Sequence, residues 1–189
     1  MPRIEPVDMD ALAPTTQALL QAGEAFMGFM PSDALVMAHQ PAVLPAFLEL
    51  VKAIYGTGTL DAGFKRLIGM VASSAAGCSY CEAHTAFAAS NAGIETQKLA
   101  AVWDFETSPL FNDAERAALR VAQRAAVTPN AVEDEDFAAL SAYFSPAEQT
   151  EIVSVIALFG FLNRWNSTLQ TELEALPAAL RAKVEEERA

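Results

Sequence analysis

The chain has 189 residues, of which 52% are hydrophobic, and its 24 acidic against 12 basic side chains give a formal net charge of −12. This apolar fraction is enough for a buried core and excludes an intrinsically disordered chain, while the length suits one domain of about 100 to 200 residues. The acidic balance argues against nucleic-acid and anionic-membrane partners, since both are bound mainly through Lys and Arg.

Neither a membrane-spanning segment nor a secretory signal is expected from the sequence. The longest strongly apolar stretch, 152–162, is shorter than the roughly 20 residues that cross a bilayer, and it includes Ser154 and Gly160. The first eight residues lack a basic start followed by an apolar core. We therefore expect a cytoplasmic protein whose two cysteines do not form a structural disulfide scaffold.

Apolar residues recur at helical spacing along the chain and no β-branched alternation marks a strand, so the sequence predicts an all-α bundle in a single domain, residues 1–189. In the N-terminal half, helices are expected over 15–28, from Ser32 or Asp33 through Met37, over 42–55 and over 61–76. The segment 56–59 is expected to end the third of these helices.

In the C-terminal half, helices are expected from about 78 to 91, over 94–103, over 112–126, from the acidic run 133–136, and from Pro146 through Leu162 toward Leu173. Pro177 is expected to end the last helix. A polar C-terminal tail should follow from about 178, with a frayed end over 183–189.

One cluster carries obvious chemistry: Gly77 is followed by Cys78, Cys81 and His84 in the pattern C-x-x-C-x-x-H. At about 100° per residue, the three side chains share one helix face with Cys81 in the middle. A helix N-terminus lowers a thiol pKa, and the C-x-x-C spacing lets one sulfur reach the other. A nearby imidazole can take the thiol proton or lie beside the thiolate as an imidazolium. The pattern predicts a redox-active Cys78–Cys81 disulfide with no bound cofactor.

The cluster has two other interpretations. In the first, the cysteines and the histidine share a core face without a function. A zinc site would need a distant fourth ligand, from His39 or a carboxylate, because three ligands within two helical turns hardly surround a tetrahedral ion. We expect no metal, since both cysteines fall at redox spacing beside one of only two histidines, and we expect His39 to cap or pack.

The segment Gly77-Cys78-x-Tyr80-Cys81-x-Ala83-His84-Thr85, after the apolar helix 67–76, resembles the signature of the AhpD-like, carboxymuconolactone decarboxylase superfamily. Segments 26–29 and 161–166 resemble its peroxidase-related branch. The resemblance implies an all-helical homo-oligomer, such as a trimer or hexamer. It also implies reduction of hydrogen peroxide or small organic hydroperoxides by the dithiol, which a lipoyl-type dithiol or a thiol reductant protein regenerates.

By position, the resemblance implies that Cys81 is the thiolate that attacks peroxide, Cys78 the resolving thiol and His84 part of the proton relay. The helix-terminus argument favours Cys78 instead, as the more acidic thiol. Proximity to His84 favours Cys81, and for peroxide attack we follow the histidine. In both assignments the first product is a sulfenic acid, which the second cysteine condenses to a disulfide.

The chain departs from the family pattern at two places. His84 lies three residues after Cys81 rather than four, and Thr85 holds the fourth place. Arg66 stands twelve residues before the first cysteine, where the pattern has a relay glutamate. Arg66 is therefore a candidate for stabilising a thiolate or sulfenate by its charge. The other candidates for relay groups are the carboxylates of Glu82 and Glu49 and the hydroxyl of Tyr80.

The C-x-x-C motif predicts a thiol-dependent oxidoreductase, and the resemblance implies that its activity is alkylhydroperoxidase-like. A decarboxylase-like lyase acting on a lactone acid is one alternative, although it needs no dithiol and would require a cation such as Arg66 or Arg164 near its pocket. A non-enzymatic, redox-sensing oligomer is the other alternative, which the missing relay glutamate keeps open.

Overall fold

The computed structural model describes residues 1–56 and 58–188, and within them the chain forms α-helices, two short 3₁₀ helices and no strand. The α-helices are α1 (Pro14–Met27), α2 (Ser32–Met37), α3 (Val43–Tyr55), α4 (Ala62–Ala75), α5 (Ser79–Asn91), α6 (Thr96–Ala100), α7 (Asp113–Ala126), α8 (Asp134–Ser141), α9 (Pro146–Leu169) and α10 (Ala175–Arg188). The 3₁₀ helices are Met9–Ala11 and Ala101–Asp104. The predicted all-α fold is confirmed. No helix in these two ranges is long and apolar enough to cross a membrane.

Side-chain caps fix the starts of several helices where the sequence predicts them. The carboxylate of Asp61 accepts a hydrogen bond from the backbone N–H of Phe64 at 3.0 Å and begins α4. Capping boxes begin α7, at Asn112 and Glu115, and α9, at Ser145 and Glu148. Each cap satisfies a backbone N–H that has no partner within its own helix.

Helix α4 lies at the centre of the bundle and packs against α5, α7 and α9. Ten of its 14 residues are buried. Gly69 packs directly against α9, because a Cβ atom at this position would overlap the ring of Phe159. The absence of a side chain at Gly69 therefore lets the two helices come together.

The turn between α4 and α5 places the C-x-x-C motif. Gly77 has φ = +72°, a left-handed conformation that glycine adopts without steric cost. The backbone N–H of Cys78 then donates to the carbonyl of Ser73 at 3.0 Å. As a result the chain reverses within a few residues, and Cys78 becomes the N-cap of α5.

The C-terminal region differs from the prediction. Helix α9 ends at Leu169, where Gln170 takes a left-handed conformation with φ = +53°. Pro177 does not end a helix but lies in the first turn of α10, where proline is tolerated because its missing N–H would have no partner. Helix α10 packs against α5 and α6 and buries Val184, so the predicted polar tail is a docked helix as far as residue 188. Thr57, in the predicted turn 56–59, and Ala189, at the predicted frayed end, lie outside the described residues.

We expect Gly69→Ala to reduce the free energy of unfolding by about 1–3 kcal/mol, because the added methyl group forces the Phe159 ring or the α9 backbone to move. Urea denaturation measures this change. Gly160→Ala on α9 is the matched control, since a Cβ there makes only an ordinary contact with Arg164. The control should leave stability unchanged or raise it by up to about 1 kcal/mol. Equal effects of the two substitutions would contradict the proposed close approach.

Candidate active site at the wall of an apolar cavity

The two cysteines are free thiols, and each is only 2% exposed. Cys78 is the N-cap of α5, and its sulfur accepts the backbone N–H of Cys81 at 3.5 Å. The side chain of Cys81 lies one turn further along the same helix and also hydrogen-bonds the sulfur of Cys78. The predicted juxtaposition of the two sulfurs at a helix N-terminus is therefore present.

This arrangement shifts the pKa values of the two thiols in opposite directions. The hydrogen bond from the Cys81 side chain is the largest influence on Cys78, and with further hydrogen bonds from Ser167 and from backbone groups it outweighs burial and lowers the pKa of Cys78 to about 6. The same bond, together with burial, raises the pKa of Cys81 above its usual range. In the reduced pair, the negative charge therefore resides on Cys78 and the shared proton on Cys81.

Cys81 forms part of the wall of a cavity of about 190 Å³, which is lined mainly by apolar side chains of α1, α3 and α9. Its other polar or charged lining residues are Asp33, Tyr55, Arg66, Tyr80, His84, Thr85 and Asn166. Cys78 is not among the lining residues. A molecule in the cavity therefore meets Cys81, while Cys78 lies behind it.

Asn166 links Cys81 to a carboxyl group. Its side-chain nitrogen lies 3.3 Å from the sulfur of Cys81 and 3.3 Å from a carboxylate oxygen of Asp33. Burial raises the pKa of Asp33, although nearby His84 and the hydrogen bond from Asn166 oppose the shift. Asp33 therefore retains its proton to a higher pH than an exposed aspartate does.

Glu174, in the linker between α9 and α10, connects three groups around the site. Its Oε2 lies 2.6 Å from Nε2 of His84, and its Oε1 accepts the Tyr80 hydroxyl at 2.9 Å and the backbone N–H of Ser32 at 2.6 Å. Burial favours the neutral acid, but the hydrogen bond and charge of His84 and the N–H of Ser32 outweigh it and lower the pKa of Glu174. Glu174 is thus an ionised carboxylate that fixes His84.

The imidazole of His84 faces Glu174 rather than the thiols. Among the described residues no hydrogen bond joins His84 to Cys81, although both side chains line the cavity. The ring of His84 stacks on Tyr80 at a centroid distance of 4.2 Å and meets the edge of Phe29 at 5.3 Å. His84, three residues after Cys81, therefore pairs with a carboxylate beside the cavity.

The remaining candidates from the sequence lie in different environments. Glu49 is exposed on α3 and pairs loosely with Lys52, apart from the cavity wall. Glu82 lines a separate cavity beside Arg181 and Arg188, and burial raises its pKa. The structure thus places Glu174, rather than either of these two glutamates, against His84.

Thr85 and His39, which the sequence also singled out, form hydrogen bonds to the backbone. Thr85 donates its hydroxyl to the carbonyls of Cys81 and Glu82, so it satisfies the backbone of α5. His39 is exposed and hydrogen-bonds the backbone of Glu5. Within residues 1–56 and 58–188, no three His, Cys, Asp or Glu side chains converge as metal ligands do.

Sequence reasoning missed the roles of Asp33, Asn166 and Glu174. In the sequence, Asp33 indicates only a helix cap, and Asn166 belongs only to a family-like segment. Glu174 is separated from His84 by 90 residues and follows a helix that ends earlier than predicted. No spacing in the sequence connects these three residues to the C-x-x-C motif, since tertiary packing alone brings them together.

The thiol pair should titrate first near pH 6. Ultraviolet absorbance of thiolate, followed from pH 4 to 9, should show one group ionising at about 6, because the Cys81 side chain stabilises the Cys78 thiolate. In Cys81→Ala this bond is lost, and the transition should move up toward the ordinary thiol value of 9.0. A transition that stays near pH 6 in the variant would show that Cys81 does not stabilise the thiolate.

Glu174→Ala should reduce the free energy of unfolding by roughly 2 kcal/mol or more at pH 7, because three buried or partly buried donors lose their acceptor. The lowered pKa of Glu174 adds stability that is complete above its ordinary value of 4.5 and is lost as the pH falls below that value. The difference from the wild type should therefore narrow in acid. Exposed Glu172→Ala, in the same linker, is the control and should have little effect at either pH. A loss independent of pH would contradict the role of the charge.

Residues 41–124 match the carboxymuconolactone decarboxylase family. The chain is 35% identical over 99 residues to the uncharacterized protein YnjA of Escherichia coli strain K12, a match that covers 52% of this chain and 54% of that protein. The chain therefore spans about half the length of this relative.

Solved structures give matches over nearly the whole chain. The apo structure of the debrominase Bmp8 superposes with a TM-score of 0.89 at 34% identity, covering 96% of this chain and 97% of Bmp8. Bmp8 has also been solved, as a cysteine-to-alanine variant, in complex with 2,3,4-tribromopyrrole. An AhpD-core, peroxidase-related protein from Ralstonia eutropha JMP134 superposes with a TM-score of 0.85 at 21% identity, covering 100% of this chain and 97% of that one, and shows the shared fold.

These matches agree with the motif, the all-α architecture and the resemblance inferred from the sequence. The chain belongs to the carboxymuconolactone decarboxylase family.

Proposed function

We propose that this protein is a thiol-dependent oxidoreductase that reduces small organic hydroperoxides, and hydrogen peroxide less efficiently, while Cys78 and Cys81 become a disulfide. The observation that carries the proposal is the position of Cys81 in the wall of an apolar cavity with the acidic Cys78 directly behind it. An apolar cavity favours an organic substrate over hydrogen peroxide, because burial of the organic group adds binding energy.

In the first step, the thiolate of Cys78 accepts the proton of the Cys81 thiol. As the sulfur of Cys81 attacks the terminal oxygen of the hydroperoxide, its proton passes to the thiolate of Cys78. The O–O bond breaks and the alkoxide leaves with a proton from Asp33 or His84, which both line the cavity. The products are an alcohol and a sulfenic acid on Cys81.

The second step forms the disulfide. The sulfur of Cys78 attacks the sulfur of Cys81, the S–O bond breaks, and the hydroxide leaves with the thiol proton as water. One hydroperoxide and two thiols thus give one alcohol, one water and one disulfide. Fast condensation protects Cys81 from further oxidation, since the two sulfurs are already in contact.

An external reductant must reset the site. A lipoyl-type dithiol suits this role because it is slender and apolar and can reach Cys81 through the cavity. It would form a mixed disulfide with Cys81, release Cys78, and leave as a cyclic disulfide. A homo-oligomer, trimer or hexamer, is also part of the proposal and rests on the family resemblance.

Reductive dehalogenation is the second candidate, favoured by the 34% identity to the debrominase Bmp8 over 96% of the chain. In this reaction the sulfur of Cys81 attacks the halogen of a halogenated ring, the C–X electrons remain on carbon, and that carbon takes a proton. Cys78 then displaces halide from the sulfur and forms the same disulfide. Both reactions consume two thiols per product and need the same cavity.

Peroxidase turnover tests the first candidate directly. With excess dihydrolipoamide and cumene hydroperoxide, the wild type should turn over, and Cys78→Ser and Cys81→Ser should abolish turnover because neither can form the disulfide. His84→Ala should slow turnover by about a hundredfold, as expected for loss of a proton-transfer group. Ser79→Ala is the control, since Ser79 lies exposed between the cysteines and should not matter.

The same panel with 2,3,4-tribromopyrrole, followed by bromide release, distinguishes the two candidates. If bromide release requires the cysteines and no hydroperoxide is turned over, the second candidate replaces the first. Turnover of neither substrate above background would contradict both and favour the redox-sensing alternative. Hydroperoxide turnover that survives both serine substitutions would exclude the dithiol as its cause.

A further inference from the structure

The cavity beside Cys81 has charged side chains at different positions along its wall. Asp33 and His84 lie near the thiol, where they contact Asn166 and Glu174. Arg66, on α4, is the only Lys or Arg among the described lining residues, and its guanidinium lies against the ring of Tyr55. The cavity therefore has one cationic side chain in addition to the groups beside the thiol.

The guanidinium of Arg66 is half-buried and lies against an aromatic ring. It lies 3.7 Å from the centre of the Tyr55 ring, so one of its faces is covered by the aromatic ring. Within residues 1–56 and 58–188, no carboxylate forms an ion pair with Arg66. The adjacent Lys65 differs, since its ammonium lies 2.9 Å from Glu151.

An unpaired cation beside an apolar cavity is unfavourable in the absence of a ligand, because burial removes part of its hydration. Contact with Tyr55 holds the guanidinium at the cavity wall, and the five N–H groups of a guanidinium exceed what this one side chain can accept. A planar fork of N–H groups matches a carboxylate or a similar oxyanion. The chemistry of this end of the cavity is thus that of an anion anchor.

The spacing of Arg66 and Cys81 suits a molecule the size of one substituted ring. Helices α4 and α5 are neighbours joined by the tight turn at Gly77. Arg66 lies nine residues before the end of α4, and Cys81 lies two residues after the start of α5. At 1.5 Å per residue, Arg66 is therefore roughly 10 Å further than Cys81 from the turn, measured along the helix axes. A ring between them can reach both ends.

We propose that Arg66 binds an anionic group of the substrate, so that the substrates of this site are apolar acids whose reactive atom lies at the end opposite a carboxylate or similar oxyanion. The identity of the reactive group rests on the proposed function, whereas the anion anchor does not. Arg66 in this account determines substrate specificity and takes no part in proton transfer.

Equilibrium binding of a matched pair of unreactive probes tests the anchor. The probes are 4-ethylbenzoate, which is anionic at neutral pH, and its uncharged methyl ester, and calorimetry measures their dissociation constants with the reduced wild-type protein. Arg66→Gln should weaken benzoate binding by about tenfold or more, because a charge-assisted hydrogen-bonded contact is lost. Binding of the ester should change by less than about twofold.

Two further variants show whether a loss of binding comes from the charge of Arg66 or from a change in the fold. Arg66→Lys should recover part of the benzoate affinity, since it keeps the charge and loses the planar fork. Arg164→Gln is the control, because Arg164 is exposed on α9 and does not line this cavity. Equal losses for acid and ester, no loss for the acid, or the same loss in Arg164→Gln would each overturn the proposal. Neither probe carries a peroxide or a halogen, so the result does not depend on turnover.

Discussion

The hydrogen bond between the two cysteine side chains determines the chemistry that this site supports. It lowers the pKa of Cys78 and raises that of Cys81, so one proton is shared by two sulfurs at the start of α5. The left-handed turn at Gly77 makes this possible because it brings Cys78 to the N-cap. The thiol that faces the cavity is thus protonated at rest and hydrogen-bonded to the sulfur of Cys78.

The second constraint is the carboxylate of Glu174, which ties three parts of the fold together. It accepts hydrogen bonds from α2 through Ser32 and from α5 through Tyr80, and it pairs with His84. Because it lies between α9 and α10, docking of α10 on α5 and the orientation of His84 are coupled.

Helical periodicity, caps and the glycine before the motif were enough to predict the all-α fold and most helix starts, since these signals are local in sequence. The same holds for the pairing of Cys78 with Cys81, which needs only one helical turn. The partner of His84 was not predictable, because Glu174 reaches the site through tertiary packing. The end of α9 and the start of α10 were missed because Pro177 marks the beginning of a helix as readily as an end.

In the proposed reaction, one reduced cysteine pair converts one apolar electrophile. Reduced protein, freed of excess reductant, is mixed under anaerobic conditions with an equimolar amount of cumene hydroperoxide, and both the alcohol and the protein mass are quantified in one turnover. The account predicts one alcohol per protein and the loss of two hydrogens as the Cys78–Cys81 disulfide forms. Alcohol without a disulfide, or a protein that gains oxygen and keeps it, would contradict the account.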